Sequence, residues 1–149
     1  MNKIFILTIL LLLSPLNGDK LSNLIMNNQK INNFTGQKLN KLYGYDFKNY
    51  TLTQQTFLNA NLKRIYHITL KTLIKLSYPK EAIKQKFQDK QLISFYLNPN
   101  GKISGLHFKK SLGYHILEKN TIKAIKLAQK FYPRPKTKTK IIFYIDYRL

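Results

Sequence analysis

Asn98-Pro99-Asn100-Gly101 stands between two apolar runs, Ile93, Phe95 and Leu97 before it and Ile103, Leu106 and Phe108 after it. Proline presets φ for an inner turn position, and glycine accepts positive φ without a steric cost. That chemistry between alternating residues dictates a β-hairpin. Ser94 and Tyr96 fill the other face of the first strand. In the return strand the spacing shifts at Ser104-Gly105, which predicts a bulge.

Helical patterns bracket this hairpin. From Thr51 to Leu76, residues Leu58, Leu62, Ile65, Tyr66, Thr69 and Leu73 recur at three- and four-residue steps. Ser77-Tyr78-Pro79 ends that helix, and Pro79 opens a short second one whose inner face is Ala82, Ile83 and Phe87. After a loop at 111–114, a third helix is expected from Leu117 to Tyr132. Its stripe is Leu117, Thr121, Ile125 and Ala128, widened by Ile122 and Leu127, with Lys119, Lys123, Lys126 and Lys130 facing water. Pro133 and Pro135 stop it, and a Lys/Thr loop leads to a last strand with Ile141, Phe143, Ile145 and Tyr147 on one face. The order predicts an α+β domain over 51–149: a three-stranded antiparallel sheet packed against two or three helices.

Upstream, residues 19–50 are polar and rich in Asn and Lys and read as a linker. Leu21, Leu24, Ile25 and Ile31 suggest one amphipathic stretch within it, and Phe34-Thr35-Gly36 and Tyr43-Gly44-Tyr45 read as turns. Residues 1–18 have the order of an export signal: a basic start at Lys3, an apolar run from Ile4 to Leu13, a break at Ser14-Pro15 and a small residue at Gly18. As a helix, Ile4 to Leu16 spans about 20 Å against about 30 Å of hydrocarbon, so a signal peptide is favoured over a short anchor. Either way the bulk of the chain is exported.

The chain carries 26 Lys and Arg against 6 Asp and Glu, a formal net charge of +20. Yet 23 of those cations are Lys, and the three Arg are Arg64, Arg134 and Arg148. Arg is the residue that forks onto guanine and phosphate, so the balance argues against nucleic acid, as does export. With 14 Asn beside many Ile and Lys, AT-rich codon usage accounts for the composition. The absence of cysteine excludes disulfide scaffolds, thiol nucleophiles and zinc fingers. His107 and His115 have no third metal ligand at useful spacing, His67 reads as part of the long helix surface, and Glu118 suits the start of the third helix. Ser111 has no base in a recognisable motif. No catalytic constellation, metal site or cofactor site is expected.

Several pieces form an ordered set: Tyr78-Pro79 followed by Ala82, the strand closing on Leu97-Asn98-Pro99-Asn100-Gly101-Lys102-Ile103, Ser111 and Gly113, Leu117-Glu118, and Pro133 and Pro135 before the last strand. With these spacings the chain from Tyr78 to Leu149 resembles the TonB C-terminal domain family, the periplasmic domain of the Gram-negative energy transducer. Three departures stand out. Asp89 occupies the place before the first strand where the family usually has Gly, a position Asp reaches in left-handed geometry at greater cost. Gln91 replaces an aliphatic residue at the first inward position, so fraying is expected there. Upstream, the full transmembrane helix and Pro-rich spacer of the family's transducers have no counterpart in the short apolar run and proline-free linker.

The resemblance implies a binding domain that takes the box peptide of an outer-membrane TonB-dependent receptor as an added strand. The receiving edge would be Ile141, Ile142, Phe143, Tyr144, Ile145, Asp146 and Tyr147. Flanking contacts would come from Lys75, Ser77, Tyr78, Lys140 and Arg148. It further implies inner-membrane proton-driven motor proteins as partners, membrane contact through the N-terminus alone, and uptake of ligands such as iron chelates. Two alternatives stay open: a soluble periplasmic adaptor using the same edge without energy coupling, and a cationic envelope protein touching anionic lipid or polysaccharide through its Lys surface.

Overall fold

In the computed structural model, described for residues 42–149, the hairpin closes as its residues dictate. The Gly101 N–H donates to the Asn98 carbonyl at 2.8 Å, the Asn98 N–H donates to the Lys102 carbonyl at 2.9 Å, and Gly101 takes φ 84°. The turn joins strands β1 (Asp89–Leu97) and β2 (Ile103–Lys110). Ser94 pairs with His107 and Tyr96 with Ser104, so one strand uses three steps where the other uses two. This is the expected bulge, with Gly105 at φ 61°. Strand β3 (Thr139–Tyr147) pairs antiparallel with the other side of β1, giving the order β2-β1-β3.

Helix α1 (Leu52–Leu76) begins with a capping box: Thr51 Oγ1 accepts from the Gln54 N–H, and Gln54 Oε1 accepts from the Thr51 N–H. Its predicted stripe is buried throughout, joined by Leu70 and Ile74. Helix α2 (Lys80–Lys84) follows Pro79, and helix α3 (His115–Ala128) lies on the same sheet face as α1, where its Thr121 meets Gln91 and Tyr147. Tyr66 of α1 meets Phe143 of β3 edge-on at 5.6 Å, and Phe143 meets Phe95 of β1 at 5.9 Å. The third helix differs from the expected Leu117–Tyr132: it starts at His115 and tightens into a 3₁₀ turn over Gln129–Phe131. Ala124, not Leu127, completes its inner face, because Leu127 lies off the 117–121–125–128 row and is 45% exposed.

Four further expectations need correction. Asp89 does not adopt left-handed geometry; Lys86 does, with φ 55°. Asp89 is instead the first paired residue of β1, and its carboxylate accepts from the Leu112 N–H at 3.1 Å and faces the Ser111 hydroxyl at 3.1 Å. Nor does the Gln91 end fray, because Gln91 is fully buried and accepts the Thr121 hydroxyl at 2.6 Å, which in turn lies 2.9 Å from the Tyr147 hydroxyl. His67 is not simply surface: its Nε2 is buried without a hydrogen-bond partner. Finally, the packed body begins ahead of Thr51. A 3₁₀ turn over Gly44–Asn49 sets Tyr43 and Phe47 into the core. The apolar N-terminal run, the stripe at 21–31 and the turn at 34–36 lie outside the described residues.

Thr121→Val keeps the shape of its side chain but strips the Gln91 and Tyr147 oxygens of a buried partner. A loss of about 2 kcal/mol in urea unfolding is expected; an unchanged midpoint would mean that another contact holds this end of β1. A second prediction concerns pH. Burial, then the charges of Lys63 and Lys71, hold the His67 imidazole below its ordinary 6.5. The unfolded chain therefore takes up a proton near that pH which the folded chain resists, so the His67 contribution is present above 6.5 and is lost as pH falls toward the folded value. His67→Gln is expected to flatten the fall in stability below that pH, and an unaltered profile would refute the assignment.

Candidate functional site: the outer edge of β3

A three-stranded sheet has two edges, and here they differ. The β2 edge is broken by register shifts at two places against β1, which blunts it as a template for another strand. The β3 edge is regular: every residue from Thr139 to Tyr147 opposes one of β1 with no shift. Its odd-numbered side chains, Ile141, Phe143, Ile145 and Tyr147, are buried against the helices as predicted. Ile142 is buried too, Tyr144 is 36% exposed, and Lys140 and Asp146 are half-buried.

Alternation of the antiparallel ladder fixes which main-chain groups face outward. The Tyr43 hydroxyl donates to the Lys140 carbonyl and accepts from the Ile142 N–H, both at 3.0 Å, so the even-numbered residues present their N–H and C=O away from β1. The next two, Tyr144 and Asp146, have no strand partner on that side among the described residues. The edge is thus covered at its first half and open at its second.

Side chains brace both ends. At the far end the Tyr147 ring meets Tyr78 edge-on at 5.4 Å, and its hydroxyl accepts from Asn120 Nδ2 at 3.1 Å. Burial pushes the Tyr147 phenol up to about 12, against the hydrogen bonds from Thr121 and Asn120. Tyr78 is itself buried, and its hydroxyl donates to the Phe87 carbonyl. Ser77, exposed at the end of α1, takes φ 67°, a strained value for a residue with a Cβ, and its carbonyl lies 3.4 Å from Asn120 Nδ2. At the near end Gln54 Nε2 donates to the Lys138 carbonyl at 3.0 Å, tying the loop before β3 to the start of α1.

The charge predicted to flank the edge is partly engaged. Arg148 forms a 2.6 Å ion pair with Asp146, which holds its guanidinium above the ordinary range. Lys90 lies over the Tyr144 ring at 5.0 Å and Lys138 over Tyr96 at 4.6 Å. Lys75 is exposed in the last turn of α1. The predicted contacts therefore divide: Ser77, Tyr78 and Arg148 gather near Tyr147, whereas Lys140 stands at the opposite end. Among the described residues no cluster of His, Asp and Glu has the grouping to hold a metal. His107 Nδ1 is 3.0 Å from the Gly105 carbonyl, His115 Nδ1 is 3.7 Å from Glu118, and the Ser111 hydroxyl lies 2.7 Å from Glu118 and 3.0 Å from the Gly113 N–H.

Sequence reasoning missed Tyr43. A signal was present: Tyr43, Phe47 and Tyr50 follow at four- and three-residue spacing just ahead of the Thr51 cap, the pattern of an element with one aromatic face.

Comparison with known proteins agrees with this architecture. No curated protein sequence matches the chain. Among solved structures, the solution structure of the Helicobacter pylori TonB C-terminal domain, residues 179–285, superposes with a TM-score of 0.51 at 24% identity. It covers 67% of this chain and 94% of that one. A shorter piece of the same domain, residues 194–285, matches at 27% identity over 51% of this chain and 91% of that one, with a TM-score of 0.42. The sequence model of the family described as "Gram-negative bacterial TonB protein C-terminal" matches residues 74–149, beginning four residues ahead of the Tyr78 expected from the motifs. The chain belongs to the TonB C-terminal family.

Proposed function

We propose that the outer edge of β3 receives the box segment of an outer-membrane receptor as an added strand, and that the chain acts as a TonB-like energy transducer of the Gram-negative envelope. Active uptake of ligands such as iron chelates is the process it would serve. The observation that carries the reading is the regular, half-open edge: main-chain N–H and C=O groups at Tyr144 and Asp146 point outward without a strand partner among the described residues. An extended peptide satisfies such groups regardless of most of its side chains. Its hydrogen bonds lie across the pull when force runs along the strand, so they are loaded together in shear.

Each candidate residue then has a stated part. Tyr144 and Asp146 offer free main-chain groups to the peptide, and Lys140 and Ile142 continue the same outward row under the Tyr43 hydroxyl. Ile141, Phe143, Ile145 and Tyr147 anchor the strand in the core. Ser77 and Arg148 lie beside its far end, Lys75 stands in the last turn of the helix leading there, and Tyr78 acts through the Tyr147 ring. The nearby lysines favour a peptide with acidic flanks, whereas Arg148 is already paired with Asp146. Inner-membrane proton-driven proteins would engage the chain through its N-terminus, and the periplasm is the compartment for the domain.

A second reading, a soluble periplasmic adaptor, is favoured by one feature: the apolar run from Ile4 to Leu13 is short for a membrane span. Intact mass and N-terminal sequence of the native protein separate the two. A full-length species in the inner membrane supports the transducer; a chain beginning near Asp19 in the soluble periplasm supports the adaptor.

Proline at position 144 removes an outward N–H and leaves the inward groups of the ladder untouched. Tyr144→Pro is expected to bind synthetic receptor box peptides about tenfold more weakly than Tyr144→Ala, read by calorimetric titration, with both variants folded by circular dichroism. Equal affinity of the two variants would refute strand addition at this edge.

A further inference from the structure

The half of the β3 edge that is closed is closed by a side chain. The Tyr43 hydroxyl both donates to the Lys140 carbonyl and accepts from the Ile142 N–H. A strand running parallel to β3 would use this pair of groups with one residue, and an antiparallel strand would use them with two residues spaced two apart. No second strand and Tyr43 can hold them together. The phenol thus stands in for one residue of a missing strand.

The cover is a short segment, although its Tyr43 and Phe47 rings are buried. Tyr43 directly precedes a six-residue 3₁₀ helix whose first residue, Gly44, has φ 69°. Its ring leans on Phe47 at 5.9 Å and on Tyr50 at 5.7 Å. Gln55 Nε2 ties the turn to α1 through the Tyr50 carbonyl at 2.9 Å and the Phe47 carbonyl at 3.3 Å. Beyond Tyr50 the chain enters the capped and deeply packed α1.

We infer that residues 42–50 form a displaceable cover on the β3 edge, and that a partner strand reaching past Tyr144 toward Ile142 must expel Tyr43. The inference rests on strand addition at this edge. It adds that binding runs in two stages: docking on the open groups at Tyr144 and Asp146, then extension as the phenol withdraws. Linkage makes the coupling reciprocal, so whatever lifts the turn strengthens the partner's hold. The chain ahead of Leu42 leads directly into this turn, so tension from that side loads the cover before it loads α1. Until a partner arrives, the same contact keeps half of a regular edge from pairing with other chains.

The test uses the full chain and Tyr43→Phe, which keeps the ring and loses the hydroxyl. In the free proteins, the Ile142 amide is expected to exchange with deuterium faster in the variant. With synthetic peptides carrying receptor box segments, the variant is expected to bind about three- to tenfold tighter. Binding to the unmodified chain is expected to shift the backbone signals of residues 43–50. Equal affinities with those signals unmoved would overturn the cover while leaving strand addition intact, as would unchanged exchange at Ile142. Absence of peptide binding in both proteins would overturn strand addition, and the cover with it.

Discussion

The unshifted pairing of β3 with β1 is the contact on which the other features depend. A slip of one residue would turn Ile141, Phe143, Ile145 and Tyr147 away from the helices. Each such side chain contributes about 1.5–3 kcal/mol through burial, so the slipped register is strongly disfavoured. The ends are then fixed by polar contacts that a slip would also break. Thr121 joins Gln91 and Tyr147 at one end, and Gln54 holds the Lys138 carbonyl at the other. A strand held so firmly from one side keeps its opposite side straight, and a straight outer edge is what an incoming strand requires.

How much of this was legible from the residues follows from how far apart the partners are. The hairpin turn and the α1 stripe are written within a few positions of themselves, and they fold as read, while the third helix departs from its stripe only at Leu127 and Ala124. The edge strand was identifiable because it alternates cleanly and follows a proline-marked break. Asp89 and Gln91 were misread because their partners, Ser111, Leu112 and Thr121, come 22 to 30 residues later and show no pattern pointing back. Tyr43 is the extreme case. Its local turn was legible, but its hydrogen-bond partners lie 97 and 99 residues away. His67 illustrates a third kind of failure, since helical periodicity places a side chain on a face without saying how tightly neighbouring long side chains will close over it.

The cationic surface takes a secondary place in this account. Arg148 is committed to Asp146, and Lys90 and Lys138 lie over aromatic rings. These contacts steer and flank; the regular main-chain edge recognises. Most of the described lysines are exposed, whereas Ile141, Phe143, Ile145 and Tyr147 on the inward face of β3 are buried.

Site-resolved deuterium exchange of the full chain, with and without receptor box peptides, reads strand addition at β3 amide by amide. Strand addition predicts slowed exchange of the outward amides at Tyr144 and Asp146 on binding, with the β2 edge from Ile103 to Lys110 unchanged. Protection appearing along β2 instead, with Tyr144 and Asp146 unaffected, would contradict it.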